Sequence, residues 1–95
     1  MPTVNVLPFD KNLGYPQKQK FKINDKAYNA YYRWNSQGFC VLKIVRIEDS
    51  AIVFNGKLAV KNPYEARDPQ TYEVLFTILP WNVDSQNCEV WVFWT

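Results

Sequence analysis

Alternation of apolar and polar residues is the dominant signal along this chain. In KQKFKIN, residues 18–24, Lys18, Lys20 and Lys22 alternate with Gln19, Phe21 and Ile23, the period-two pattern of a strand with one wet face. Asn24, Asp25 and Lys26 then turn the chain. AYNAYYRWN follows, with Tyr28, Ala30, Tyr32 and Trp34 on one face and Ala27, Asn29, Tyr31 and Arg33 on the other, so the two runs predict a hairpin. Ser36, Gln37 and Gly38 supply a second turn. FCVLKIVRI, residues 39–47, is rich in β-branched residues and is charged only at Lys43 and Arg46, which predicts a central strand covered on much of both faces.

After a turn at EDS comes the short run AIVF. Asn55 and Gly56, for which left-handed backbone costs little, are expected to fold it back onto KLAV as another hairpin. KNPYEARDPQ, residues 61–70, has two prolines and mixed charges and is expected to be the longest exposed loop. TYEVLFTILPW alternates Tyr72, Val74, Phe76 and Ile78 against Glu73, Leu75, Thr77 and Leu79, and Pro80, which has no amide hydrogen, is expected to stop the ladder. NVDSQN makes the last turn. CEVWVFWT sets Val90, Val92 and Trp94 on one face and Trp91 and Phe93 on the other; a strand apolar on both sides is either central in its sheet or covered by another chain. PTVNVLPF reads as a first strand interrupted by Pro8, and residues 1–17 are expected to form an extended segment open to a partner. No segment has helical periodicity. Six or seven short strands joined mainly by hairpins predict an all-β fold, a small antiparallel barrel or sandwich forming one domain over residues 1–95.

Composition sharpens this picture in three ways. With 47 % apolar and 17 % aromatic residues among 95, the chain has enough packing material for one core and is not a disordered polymer. Its net charge of +2 is too small to point to duplex DNA, and because residues 1–26 hold Lys11, Lys18, Lys20, Lys22 and Lys26 against Asp10 and Asp25, any basic patch is expected to be N-terminal. There is no leader pattern and no apolar run approaching the ~20 residues that span a bilayer, so the expectation is a chain without a signal peptide or membrane contact. Cys40 and Cys88 are too few for a disulfide framework and lack zinc-site spacing. They are expected to be buried small hydrophobes, with a bond between them or to a neighbouring subunit as the alternative.

Candidate chemistry is sparse. The absence of histidine removes the commonest general base and the commonest transition-metal ligand together. Ser36, Ser50 and Ser85 fall in predicted turns with no base beside them, and Glu48 with Asp49 sits at a solvated hairpin tip that would not shift a carboxyl as acid–base work requires. Gly14, Gly38 and Gly56 stand singly, so no phosphate-cradling loop exists. No enzyme activity, metal or cofactor is expected. A small β-domain carrying Tyr28, Tyr31, Tyr32 and Trp34 near a lysine-bearing strand does have the outline of a stacking platform for single strands. The competing explanations are core packing for the rings and edge protection for the lysines. Arg33, beside Tyr31 and Asn35 on one face, is free to stack or to grip a carboxylate or phosphate in a bidentate manner.

From YYRWN onward the order of elements resembles the small baseplate plug family of contractile-tailed phages, known from cyanophage baseplates. The likeness covers roughly residues 18–64 and rests most on Arg33, Trp34 and Asn35 followed by Gly56, Lys57 and Leu58. It implies a virion component, made in the host cytoplasm, that closes or connects the hub at the end of the tail tube. Arg33, Trp34 and Asn35 match the family's central strand and turn, and Gly56 and Leu58 its second hairpin. The chain departs from the family after Pro63, where a glycine-containing apolar segment is missing, and in its aromatic VWVFWT ending.

The residues and the resemblance thus lead to one expectation: a structural component of a phage tail baseplate, in contact with other baseplate, hub or tail-tube proteins within a symmetric assembly. Tyr31, Arg33, Trp91 and Phe93, opposite the more regular apolar faces, are the expected protein interface. Two alternatives stand beside it. One is a single-stranded nucleic-acid binding module using Lys18, Lys20 and Lys22 with Tyr31; the other is an adaptor or inhibitor made during infection and absent from the particle.

Overall fold

A computed structural model describes residues 3–94. Eight strands form two antiparallel sheets: β1 (Thr3–Val6), β2 (Gln17–Ile23), β3 (Lys26–Asn35), β4 (Phe39–Arg46), β5 (Ile52–Lys57), β6 (Tyr64–Arg67), β7 (Val74–Val83) and β8 (Cys88–Trp94). One sheet has the order β1-β8-β7-β6 and the other β2-β3-β4-β5. The architecture is a small sandwich and not a closed barrel. No helix occurs among the described residues, so none could cross a membrane.

The turns follow from local chemistry. Asn24 (φ 51°) and Asp25 (φ 65°) are the two central residues between the paired Ile23 and Lys26, the left-handed pair of a tight hairpin whose twist suits the strands it joins. At the other end of β3, Asn35 Oδ1 accepts from the Gln37 amide at 2.8 Å, and the Asn35 carbonyl accepts from Gly38, whose φ of 98° only glycine adopts without cost. Asp84 Oδ1 accepts from the amides of Gln86 and Asn87, both at 2.8 Å, and closes the turn into β8.

The core lies between the sheets and follows the alternation. Tyr28, Ala30 and Tyr32 of β3, Cys40, Leu42 and Ile44 of β4, Phe76 and Ile78 of β7, and Cys88, Val90 and Val92 of β8 are all buried. Phe76 sets its ring edge-on to Tyr28 (5.4 Å, 77°) and Phe21 (6.2 Å, 83°), tying the two sheets through an aromatic cluster. The apolar terminal strand β8 is central, between β1 and β7, which is the first of its two expected outcomes. Cys40 and Cys88 are buried free thiols from opposite sheets; the hydrogen-bonding contact with Cys40, together with burial, pushes the Cys88 thiol up.

Several expectations are corrected. Residues 3–17 are not extended throughout: the expected first strand forms as β1 and pairs with β8, and the connection that follows it packs on the sandwich. Leu7 is buried, Phe9 packs edge-on to Tyr32 at 5.0 Å, Tyr32 Oη donates to the Pro8 carbonyl at 2.7 Å, and buried Gln17 donates to the Asp10 and Gly14 carbonyls, each at 2.8 Å. Apolar groups and satisfied carbonyls hold the segment down. Pro2 of the expected first strand and Thr95 of the last lie outside the described residues. Second, β5 runs straight through Asn55 and Gly56, which pair with Lys43 and Leu42, so the expected hairpin is absent; a neighbouring strand with free amides and carbonyls outweighs a turn preference. Third, the loop over 61–70 contains β6, an edge strand of four residues. Fourth, β7 continues past Pro80 to Val83: Pro80 sits at a register shift, where a missing donor is tolerated. Tyr72, placed on one face with Val74, Phe76 and Ile78, lies before β7 with φ of 61° and is 71 % exposed, and Val74 at the start of β7 is exposed as well.

At one end an ion pair crosses between the sheets. Arg46 Nη2, at the end of β4, donates to Asp49 Oδ2 (2.8 Å) and to Asp68 Oδ2 (2.9 Å), which follows β6. The Arg46 hydrogen bonds hold Asp49 down at about 2, and the Gln70 amide with Arg46 lowers Asp68 in the same direction. Carboxyls depressed by folding add stability above their unfolded value of about 3.9 and lose it as pH falls through the folded value. The urea midpoint of the wild type should therefore exceed that of Arg46→Met most above about pH 4, with the gap narrowing towards pH 2. A gap independent of pH would show that Arg46 acts by packing alone.

Candidate functional site

The sandwich has two outer faces, one dominated by cations and the other by aromatic and aliphatic side chains. Outward positions of the β2–β5 sheet follow from the register: Lys18 opposite Tyr31, Tyr31 opposite Lys43 and Lys43 opposite Asn55 form one row, and Arg33, Val41 and Lys57 form the next. Lys20 and Lys22 extend the face along β2, opposite Asn29 and Ala27. None of the four strands contains an aspartate or glutamate. Lys26 pairs with Glu48, and Arg46 with Asp49 and Asp68, at the end of the sheet. Lys18, Lys20, Lys22, Arg33, Lys43 and Lys57 form no ion pair among the described residues. The cations are interleaved with neutral groups: no two stand directly opposite on paired strands, so like-charge repulsion across the ladder is avoided.

Tyr31 sits in the middle of this face, 38 % exposed, with Lys43 Nζ 5.9 Å from its ring centroid. Lys57 Nζ lies 4.6 Å from the Phe39 ring. Pro16, Lys18, Tyr31, Arg33, Lys43 and Asn55 line an open concavity of about 560 Å³.

The outer face of the other sheet is largely apolar over β1, β8 and β7, and the Glu65–Arg67 pair of β6 borders it. Trp91 stacks on Trp81 (5.2 Å, 24°) and meets Phe93 at 6.5 Å, and its Nε1 donates to Glu89 Oε2 at 2.8 Å. Val4 lies opposite Phe93, and Val6 and Leu79 flank Trp91 from either side. Val4, Val6 and Trp81 are each between 42 % and 52 % exposed. Lys61 Nζ, 5.3 Å from the Trp81 ring, marks the rim.

The four expected interface residues are therefore split between the faces. Tyr31 and Arg33 lie on the basic face, Trp91 and Phe93 on the apolar one, and no single flat contact can use them all. Of the positions carrying the family resemblance, Arg33 faces solvent, half-buried Trp34 packs against Tyr15 at 5.5 Å, and Asn35 builds the β3–β4 turn. Leu58 is buried and its amide donates to the Cys40 carbonyl at 2.9 Å, whereas Gly56 is an ordinary strand residue at which a Cβ would meet only Phe54, at 3.6 Å.

Sequence reasoning missed Lys43 and Lys57 on one face and Val4, Val6, Leu79 and Trp81 on the other. The strand segments devoid of acid were a readable signal for the first pair. Trp81 was hidden by ending β7 at Pro80. Among the described residues no cluster of potential metal ligands occurs, and burial pushes Tyr15, Tyr28 and Tyr32 up, so these phenols stay protonated. In comparisons with protein-family models, curated proteins and solved structures, no match to this chain was found.

Proposed function

We propose that the protein is a non-catalytic structural component of a contractile phage tail, a baseplate plug or hub protein that closes or connects the tail-tube end by docking on its neighbours. The observation that carries the docking part is the apolar outer face built on Trp81, Trp91 and Phe93 with Val4 and Val6. Water-exposed aromatic clusters of this kind are the usual anchors of protein interfaces, because rings bury a large area at small entropic cost. The phage setting rests on the likeness over residues 18–64. In this reading Trp91 and Phe93 contact a hub or tail-tube protein, while Tyr31 and Arg33 on the far side remain available to a second partner.

Mass spectrometry of purified particles separated into heads and tails tests the proposal. The chain is expected in the tail fraction in a fixed ratio to the tube protein. Its absence from both fractions would remove the baseplate role and leave an adaptor acting during infection.

A further inference from the structure

We infer that the outer face of the β2–β5 sheet is a binding surface for single-stranded nucleic acid, with backbone phosphates on its cations and a base against the Tyr31 ring. The inference does not depend on the docking role of the opposite face. Lysines at alternate positions of β2 alone would be explained by protection of an exposed sheet edge. That account does not reach Arg33 and Lys43, which stand on the internal strands β3 and β4. Six cations without an ion pair and without an acid on their strands form a field that attracts polyanions, although the whole chain carries only +2; Asp25 and Glu48 border it at the Lys22 end, so the field is strongest around Lys18, Arg33, Lys43 and Lys57.

The type of polyanion follows from the remaining groups. Lysine is depleted in the cores of protein interfaces, so a lysine-rich face suits an acidic protein poorly and a phosphate chain well. Duplex DNA hides its bases from a ring on a sheet surface, and among the described residues no helix or ribbon projects from this face into a groove. An unpaired strand offers both phosphates and free base faces, and the concavity between Lys18, Tyr31, Arg33 and Lys43 has an aromatic floor for a base.

Fluorescence anisotropy with labelled oligo(dT) of about 20 nucleotides, using the full chain, tests this. If all six cations engage phosphates, the logarithm of affinity should fall with the logarithm of salt at a slope of about −4, a loss of roughly 300-fold between 50 and 200 mM. Lys18→Gln, Lys20→Gln and Lys22→Gln together should halve that slope. Tyr31→Leu should weaken binding at least about fivefold at every salt concentration while leaving binding of the matching duplex unchanged. Lys61→Gln, which lies off this face, should change nothing. These side chains point to solvent, so thermal unfolding of each variant checks that the fold is kept, and the salt slope of the wild type stands without any variant. No binding at 50 mM salt, a slope unaffected by the triple variant, or a Tyr31→Leu protein that binds as well as wild type would overturn the inference. Polyglutamate competing as effectively as oligo(dT) would overturn it in favour of an acidic protein partner.

Discussion

Phe76→Ala is expected to destabilise the fold by about 3–5 kcal/mol, the largest single loss in the molecule. Phe76 is 1 % exposed and is the β7 residue whose ring reaches the opposite sheet, edge-on to both Tyr28 and Phe21. Alanine would remove the transfer energy of the ring and both aromatic contacts, and would open a cavity that two hydrogen-bonded sheets cannot collapse to fill. For a chain of this length the loss corresponds to a drop of roughly 15–30 °C in Tm. Urea unfolding should show a lower midpoint at constant slope. Tyr72→Ala, at a residue 71 % exposed, should stay within about 0.5 kcal/mol of wild type. A loss below about 1 kcal/mol at Phe76 would mean that the sheets are not held together by this cluster.

The second large effect tests the proposed docking role. If the protein is a tail component docked through this face, Trp91→Ala should reduce incorporation into tails by about 30-fold or more, the equivalent of an interface anchor of about 2 kcal/mol. Its cost to the isolated fold should be smaller, about 1–2 kcal/mol, because the half-exposed indole contributes its stack on Trp81 and one hydrogen bond to Glu89 but no core volume. Comparing the thermal unfolding of the purified variant with its ratio to the tube protein in tails separates the two effects. Incorporation at the wild-type level would take Trp91, and with it the apolar face, out of the docking role.

These two residues also show how unevenly the sequence reports on the molecule. That Phe76 and Ile78 share one face was readable from alternation alone, because side chains two residues apart along a strand point the same way, although Tyr72 and Val74, grouped with them, are exposed. The same rule correctly paired Tyr28, Ala30 and Tyr32, and put Trp91 and Phe93 on the face opposite Val90 and Val92. It failed where local preference met a competing long-range contact. Asn55 and Gly56 favour a turn, yet β4 offered them ladder partners; Pro80 cannot donate, yet a register shift accommodated it; and residues 64–67 have the composition of a loop, yet pair with β7.

The sequence by itself determined the all-β class, most strand positions and the tight turns at Asn24–Asp25 and Ser36–Gly38, since each depends on residues adjacent in the chain. Only the tertiary structure decided what lies beside what. Register across four strands gathered Lys43 and Lys57 with Arg33 and the lysines of β2 onto one face whose strands carry no acid, while the pairing of β8 with β1 and β7 brought Val4, Val6 and Trp81 around Trp91. The formal charge of +2 concealed the first surface, because a sum over the chain is blind to the side of the molecule on which each charge stands. The split of Tyr31 and Arg33 from Trp91 and Phe93 has the same origin: each pair points away from the core, but they belong to different sheets, and sheet membership is set by long-range hydrogen bonds that no local pattern encodes.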